Sequence, residues 1–451
     1  MSSLLDIFRA NDLRGEYPRE INRDIALATG KSFREILDKI YKHPLKIVVG
    51  YDNRKSSPSL AKAFISGFYW DAQHYSQIQR IGLTTTPLFC FSLIREKADG
   101  GAMITASHNP FSQNGILLYL KGAQSFLSGE KWDKKFRKLV LKNYTLVKEQ
   151  KIKEGSEKVH HIDYLKAYLS YLQKFIDIKR PLSFGIDDGG GTIRSILPKF
   201  LSLPQWGKVK FSLIRGPKWR FADPTKRKNS QALARLIRMK HLDGGVLFDS
   251  DGDRAVFLNE KGRPVHPDRI FALLSLYFLR KYHRATFVNT ILLNEKVKEL
   301  IKGKGGKLAF SSIGYGFVQE KMKKYDALCG GEISGHYYYR DFSYRDDALL
   351  TLIYVLNILG SSKDSFSQLE KNIPLNPTCF FSFPYHKREE AEKTLSLLKT
   401  ISQQLSFRKK MTFRKFDGFN WRTKNWRMNW RLSKTENYIR VYWEQLGPSK
   451  H

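Results

Sequence analysis

The chain has 451 residues, is 41% hydrophobic and 13% aromatic, and carries a formal charge of +35. That length accommodates several cores, and no apolar run approaches the roughly 20 residues needed to cross a bilayer, which sets aside a membrane-spanning protein. The opening MSSLLDIFRAND has neither a basic leader nor an extended apolar core, and the three cysteines (Cys90, Cys329, Cys379) are scattered and odd in number, so a cytoplasmic protein without a signal peptide or disulfide framework is expected. In chain order, LKIVVG (45–50) reads as a strand, SPSLAKAFISGFYW (57–70) as a helix, and GGAMITAS (100–107) as a strand partnered after a turn by NGILLYL (114–120). The charged helix GEKWDKKFRKLVLK (129–142) runs into a polar linker at 148–158. A second cycle gives a helix over 161–176, a strand LSFGID, the Gly-rich turn DDGGGT, a helix over 193–203, a strand VKFSLI, a helix over 230–240 and a strand GGVLF (244–248). A third gives helices over 268–282, 293–303 and 316–325 around the strands ATFVNT and KLAFSS. Beyond about residue 370 come CFFSFPY, one long helix (388–405) and strand-like pieces ending in YIRVYWEQ.

Strands alternating with helices of this length predict α/β layers with largely parallel sheets. Four domains are expected: 1–150, 151–256 and 257–370, all α/β, then a smaller α+β unit over 371–451. The positive charge raises the question of nucleic acid, because FRKKMTFRKF and NWRTKNWRMNWRLSK interleave bases with aromatics. The bases are nonetheless spread over nearly every predicted helix, and amphipathic strands of a cationic protein look the same. Small phosphorylated partners suit such a charge equally well, and nucleic acid is not the expected one.

Four short stretches carry chemistry. In TASHNP (105–110) an Asn-Pro turn, which needs no other polar group, also receives the Ser107 hydroxyl and the His108 imidazole. In DSDGDR (249–254) Asp249, Asp251 and Asp253 alternate around Gly252, and carboxylates this close call for a hard cation, Mg²⁺ or Ca²⁺. An EF-hand counted from Asp249 would put Glu260 at its twelfth position but Arg254 at the sixth, where glycine is needed, and the flanks read as strands. In CGGEISGHYYYR (329–340) Glu332, Ser334 and His336 stand at every second position, so an extended backbone would turn all three to one face, suited to sugar hydroxyls; a Gly-rich turn with incidental polar residues is the alternative. In RLSKTENYIRVY (431–442) Arg431, Ser433, Thr435 and Arg440 offer two guanidinium forks and two hydroxyls, an inventory that suits a phosphate and that a basic edge strand would also present.

Taken together and in this order, TASHNP, DSDGDR, GGEISGH and RLSKTEN resemble the four loops of the α-D-phosphohexomutases, the phosphomannomutase/phosphoglucomutase group, and FRANDLRG and VGYDNRKSSP resemble that family's opening. The resemblance spans essentially the whole chain. It implies three related α/β domains with mixed sheets plus a smaller α+β C-terminal domain around a central cleft. It implies that Ser107 carries the phosphoryl group; that Mg²⁺ is held by Asp249, Asp251 and Asp253 with phosphorylated Ser107; and that Glu332, Ser334 and His336 hold the sugar. Arg431, Ser433, Thr435 and Arg440 would hold the non-reacting phosphate, Arg14 and Arg254 would line the same pocket, and His108 would orient the site or move a proton. The implied reaction interconverts hexose 1-phosphate and hexose 6-phosphate through hexose 1,6-bisphosphate, in a monomer or dimer; rivals are a phosphoglucosamine mutase or a weakened, sugar-phosphate-binding relative. The chain departs from the family pattern at Leu117, where a lysine is usual, at Lys434 and Asn437, where glycine and proline are usual, and at Asn11, where tyrosine is common; Ile333 fills the position that is glutamine in phosphoglucosamine mutases.

Overall fold

Short β-branched runs such as KIVVGY form strands, and the apolar stretches between them coil into helices started by local caps: Asn22 accepts the Ile25 N–H ahead of the helix Arg23–Ile40, and Thr85 accepts that of Leu88 ahead of Thr86–Arg95. The computed structural model describes residues 7–9, 12–70, 76–127, 130–149, 159–386, 388–406, 411–434 and 437–447, and these fold around four sheets.

The first sheet contains β1 (Leu13–Glu16), β2 (Lys46–Tyr51), β3 (Gln77–Leu83), β4 (Gly100–Ile104), β5 (Gln113–Leu120), β6 (Gln124–Ser125) and β7 (Val159–His161), in the order β1-β5-β4-β2-β3-β7 with β6 against β5. The second orders β8 (Leu182–Asp187), β9 (Val209–Ile214), β10 (Gly244–Phe248) and β11 (Ala255–Asn259) as β11-β10-β8-β9. The third orders β12 (Thr286–Thr290), β13 (Lys307–Ser311), β14 (Cys329–Gly331), β15 (Tyr337–Tyr339) and β16 (Arg345–Asp346) as β13-β12-β14-β15-β16. One pattern recurs in all three. A central strand flanked by two parallel neighbours passes its chain to one of them and then to the other, and this second neighbour turns back through an antiparallel pair: β4–β5, β10–β11 and β14–β15. The connections of these three pairs are TASHNP, DSDGDR and GEISGH, so a shared topology delivers three of the four motifs at equivalent places.

The fourth sheet is wholly antiparallel: β17 (Thr378–Pro384), β18 (Thr412–Lys415), β19 (Phe419–Arg422), β20 (Trp426–Leu432) and β21 (Tyr438–Gln445), ordered β17-β21-β20-β19-β18, with the helix Arg388–Ser406 inserted after β17. Its apolar cluster, Ala391, Leu395, Ile439 and Val441, is separate, whereas one continuous core runs from Met103 and Tyr119 through Phe184 and Phe248 to Phe287 and Leu350. Polar contacts attach this last unit. The Arg427 guanidinium donates to the carbonyls of Ile291 (2.8 Å) and Leu293 (2.6 Å) and pairs with Glu444 and Glu295.

Two expectations shift. The helix expected over 161–176 begins only at Leu165, because Val159–His161 joins the first sheet beside β3, past the expected boundary at 150. The helix Glu130–Lys148 runs into the segment expected as a linker, of which 150–158 lie outside the described residues. No helix among the described residues is long and apolar enough to cross a membrane.

Candidate active site

Ser107 sits in the β4–β5 turn with φ of 48°, a left-handed backbone that a serine adopts only where its surroundings enforce it. Three contacts do so. Its N–H donates to Thr105 Oγ1 (2.9 Å), while its carbonyl accepts from Ser250 Oγ (2.6 Å) and from Arg54 Nη2 (2.6 Å). Arg54, fully buried beside Asp52, also donates to the carbonyls of Asn109, Pro110 and Gln113, so one guanidinium closes the whole loop. The Ser107 hydroxyl is thereby left 3.4 Å from Asp249 Oδ2 and 3.4 Å from His108 Nδ1. Burial, then the cationic Arg254 and Arg14, push the His108 imidazole well below its ordinary pKa and keep it neutral.

The aspartates of the β10–β11 loop divide their work. Asp249 Oδ1 accepts the N–H groups of Gly252, Asp253 and Arg254 and so shapes the loop, which Gly252 turns at φ of 77°. Asp251 Oδ2 accepts from the hydroxyls of Thr86 (2.7 Å) and Thr105 (3.4 Å), and its carbonyl takes the Thr86 N–H at the start of the helix Thr86–Arg95. All three carboxylates are buried and offer ligand oxygens within 4.8 Å of one another. Burial and the Asp251 charge push Asp249 up to about 7, and burial with Asp251 and Asp249 raises Asp253 well above the carboxylate range. Asp251 Oδ1 and Asp253 Oδ1 have no hydrogen-bond partner. Orphaned, mutually repelling carboxylate oxygens fit a hard divalent cation such as Mg²⁺, which would answer both defects.

Glu332, Ser334 and His336 lie on a turn between β14 and β15, not on the extended segment expected from their alternation: Gly335 donates back to the Glu332 carbonyl, its φ is 89°, and Glu332 N–H donates to the His336 carbonyl (3.0 Å). The three reach one cavity nevertheless. Glu332 is fixed by the Gly314 N–H (2.8 Å) and the Tyr338 hydroxyl (2.6 Å). Arg254 Nε donates to His336 Nε2 (2.9 Å), which places the ring proton on Nδ1, 2.7 Å from Asp346 Oδ2. Asp253, His336 and Asp346 also converge, but Arg254 on the imidazole and Arg345 on Asp346 (3.0 Å) already supply cations there.

Arg431 and Arg440 are register partners across β20 and β21, so both guanidinium groups leave one face of the sheet. Arg440 Nη1 donates to Ser382 Oγ, and burial lowers the Arg431 pKa. A cavity of about 810 Å³ gathers Arg14, Ser107, His108, Asp253, Arg254, Glu332, Ser334, His336, Arg431, Ser433 and Arg440. Asp249 and Asp251 stand beneath it; Thr435 and Asn11 lie outside the described residues. Arg14, paired with Asp12 (2.8 Å), donates to the Ala106 carbonyl and Asn109 Oδ1 and so braces the serine loop from β1. Leu117 lines the cavity where the family pattern has lysine. Lys434 lines the cavity too, its ammonium held by the Ile313 carbonyl (2.6 Å) and Asp417 (2.8 Å), and Asn437 accepts from Arg9 (3.0 Å). Sequence reasoning missed Arg54, Arg345 and Asp346. The signal for the last two was the charged run YRDD, in which Arg345 and Asp346 stand on β16, two strands downstream of the histidine that Asp346 faces.

Comparison with known proteins bears on the family and the fold. Residues 5–135 match the family model for phosphoglucomutase/phosphomannomutase alpha/beta/alpha domain I, and 266–375 that for domain III. A phosphomannomutase of Escherichia coli is 28% identical over 97% of this chain and 94% of its own length. Another from the same species is 30% identical over 82% of this chain and 81% of its own. Among solved structures, a phosphoglucomutase/phosphomannomutase family protein of Burkholderia thailandensis superposes with a TM-score of 0.79 at 21% identity, over 98% of this chain and 93% of that one. Parafusin (phosphoglucomutase) of Paramecium, in its open form, gives 0.74 at 16% over 98% and 91%, a likeness of fold. With its loops, its strand order and these matches in agreement, the chain belongs to the phosphoglucomutase/phosphomannomutase family.

Proposed function

We propose that the protein is a phosphohexomutase that interconverts hexose 1-phosphate and hexose 6-phosphate, with mannose or glucose as the sugar, through phosphorylated Ser107 and a hexose 1,6-bisphosphate. The observation that carries the reading is the Ser107 hydroxyl standing 3.4 Å from Asp249 Oδ2 at the base of a cavity that also holds Glu332, His336 and Arg431. Phosphate monoesters are among the slowest substrates to cleave in water, and phosphoryl transfer is accelerated chiefly by positioning and by stabilising charge.

In the first half-reaction the bond from phosphorus to Ser107 Oγ breaks as one forms to the free C6 or C1 hydroxyl of the substrate. The hydroxyl proton ends on Oγ. After the bisphosphate turns round, Oγ attacks its other phosphate and the proton goes to the departing sugar oxygen, so the cycle consumes nothing. His108, neutral and beside Oγ, is placed to pass that proton between the sugar hydroxyl and Oγ. Glu332, Ser334 and His336 grip hydroxyls near the ring's middle, which serves both orientations of the sugar. Arg431, Ser433, Thr435 and Arg440 take the phosphate that is not reacting. Mg²⁺ held by Asp249, Asp251 and Asp253 would neutralise charge on the phosphoryl oxygens. A buried site that keeps out water protects the phosphoserine from hydrolysis.

Two measurements test the reading. Intact-mass analysis of the gently purified protein should show a species about 80 Da heavier, the mass of one phosphoryl group, mapping to Ser107 and absent from Ser107→Ala. A coupled assay with mannose 1-phosphate, glucose 1-phosphate and glucosamine 1-phosphate, primed with a trace of glucose 1,6-bisphosphate, should give turnover that Ser107→Ala abolishes. Full turnover by that variant ends the proposal, and a preference for glucosamine 1-phosphate would favour a phosphoglucosamine mutase.

A further inference from the structure

The face of β5 turned toward the cavity presents Leu117 and, two residues on, Tyr119, so the wall that carries a lysine in the family pattern is here apolar. A cation reaches the same wall from elsewhere. Arg345, on β16 of the third sheet, is 1% exposed and lines the cavity, and its guanidinium stacks over the rings of Tyr119 (5.3 Å) and Tyr315 (5.0 Å). One nitrogen, Nη2, pairs with Asp346 Oδ1 at 3.0 Å, while Nε and Nη1 have no hydrogen-bond partner, and neither does the Tyr119 hydroxyl beside them. A buried guanidinium is costly unless its donors are met. Tyrosine faces answer the charge but accept no strong hydrogen bond. Two idle donors and an idle hydroxyl at the edge of an anion-binding cavity describe a half-built contact whose other half is a ligand oxygen.

We propose that Arg345 is a substrate-binding cation of this cavity, supplying from β16 the positive charge that Leu117 removes from β5, and that Nε and Nη1 donate to an anionic oxygen of the bound sugar phosphate. The inference rests on the sugar-phosphate reading of the cavity. Charge and proton traffic separate as a result, because an arginine stays protonated throughout and cannot carry a proton as a lysine can. Arg345 is also joined through Asp346 to His336, so ligand binding at the guanidinium bears on the histidine that faces the sugar.

The test moves the cation back. Glucose 1,6-bisphosphate is titrated calorimetrically into the wild type, Arg345→Met, Leu117→Lys and the double variant, with melting curves of each and, where turnover is present, kcat and KM for mannose 1-phosphate. Arg345→Met should weaken the bisphosphate about 10- to 100-fold, the worth of a charge-assisted hydrogen bond. Adding Leu117→Lys should recover at least a third of the lost binding free energy without restoring the melting temperature. Arg345→Lys, which keeps the charge but not the fork, should fall between wild type and Arg345→Met. An affinity within twofold of wild type in Arg345→Met, or a loss that Leu117→Lys leaves unrepaired, makes Arg345 a structural partner of Asp346 and overturns the inference alone. A wild type that binds neither the bisphosphate nor mannose 1-phosphate overturns it together with the proposed function.

Discussion

Arg54 offers the sharpest test of how the serine loop is held. Replacing it with methionine keeps the volume of the aliphatic stem and deletes the guanidinium. That strips donors from the carbonyls of Ser107 (2.6 Å), Asn109 (2.9 Å), Pro110 (2.6 Å) and Gln113 (3.0 Å), and leaves the fully buried Asp52 carboxylate with only Ser57 Oγ and the residue-54 N–H. Removing one partner of a buried ion pair costs about 3–5 kcal/mol. The stranded carbonyls add to this, but water entering the vacated space offsets part of it, so about 4 kcal/mol is the working figure. At roughly 2–4 °C per kcal/mol for a unit of 150 residues or more, the melting temperature falls by roughly 8–16 °C. Differential scanning calorimetry measures this, and mass analysis of the same sample reads the phosphorylation of Ser107, which should drop because the left-handed backbone at that residue loses its clamp. Arg54→Lys should recover less than half, since an ammonium cannot reproduce a fork that reaches four carbonyls. A melting temperature within 2 °C of wild type, with phosphorylation intact, would show that the loop holds its own shape and that the clamp is incidental.

Two further outcomes follow from the same geometry. Asp251→Asn retains the acceptor for Thr86 and Thr105 but removes a charge from the aspartate trio, so calorimetric Mg²⁺ affinity should fall about 10- to 100-fold with the melting temperature little changed; unaltered affinity would remove Asp251 from the metal set. Glu295, although burial alone would raise it, is held at about 2 by Lys298, Arg427 and Arg422, where the fourth unit meets the third. Its folded pKa is depressed, so its stabilisation is complete above the unfolded value near 4.5 and is lost as the pH falls from there toward 2; allowing for screening at a partly exposed site, it is worth about 1–2 kcal/mol. Glu295→Gln should therefore melt several degrees below wild type at pH 7, and the gap should narrow between pH 5 and pH 3. An equal gap at both ends of that range would refute the assignment.

What the sequence made legible was local. A β-branched run such as KIVVGY specifies a strand through period and branching alone, and the aspartate loop announces itself because three carboxylates in five residues, once buried together, repel one another and fit a cation. The Arg431–Arg440 pairing was within reach too, since two strands joined by a short turn must bring their ends together. What stayed hidden depended on non-local contact. The clamp at Arg54 spans 53 residues to the Ser107 carbonyl, and nothing in DNRKSSP indicates which carbonyls the guanidinium will meet. The alternation of Glu332, Ser334 and His336 pointed to three residues that do share a cavity, but through the wrong geometry. A glycine at φ of 89° folds that segment into a turn, and its side chains converge because the turn faces the cavity, not because a strand has two faces.

Lys434 shows how a departure from the family pattern can be absorbed. Glycine at such a place is commonly there for backbone freedom, but Lys434 is not among the residues with positive φ, so this chain makes no such demand. The ammonium does not join the guanidinium groups of Arg431 and Arg440 either. It donates to the Ile313 carbonyl at 2.6 Å, pairs with Asp417 at 2.8 Å and lies 4.2 Å over the ring of Phe317, while Asp417 accepts the Ile313 N–H at 2.9 Å. Both polar groups of Ile313 are thus held by the fourth unit. The next residue, Gly314, gives its N–H to Glu332, the carboxylate assigned to the sugar. Lys434, in the β20–β21 connection, therefore bears through the single peptide unit joining Ile313 and Gly314 on the position of the turn that carries Glu332. With the apolar cores of the two units separate, contacts of this kind, together with those of Arg427, fix how the Arg431–Arg440 end of the cavity faces the serine end.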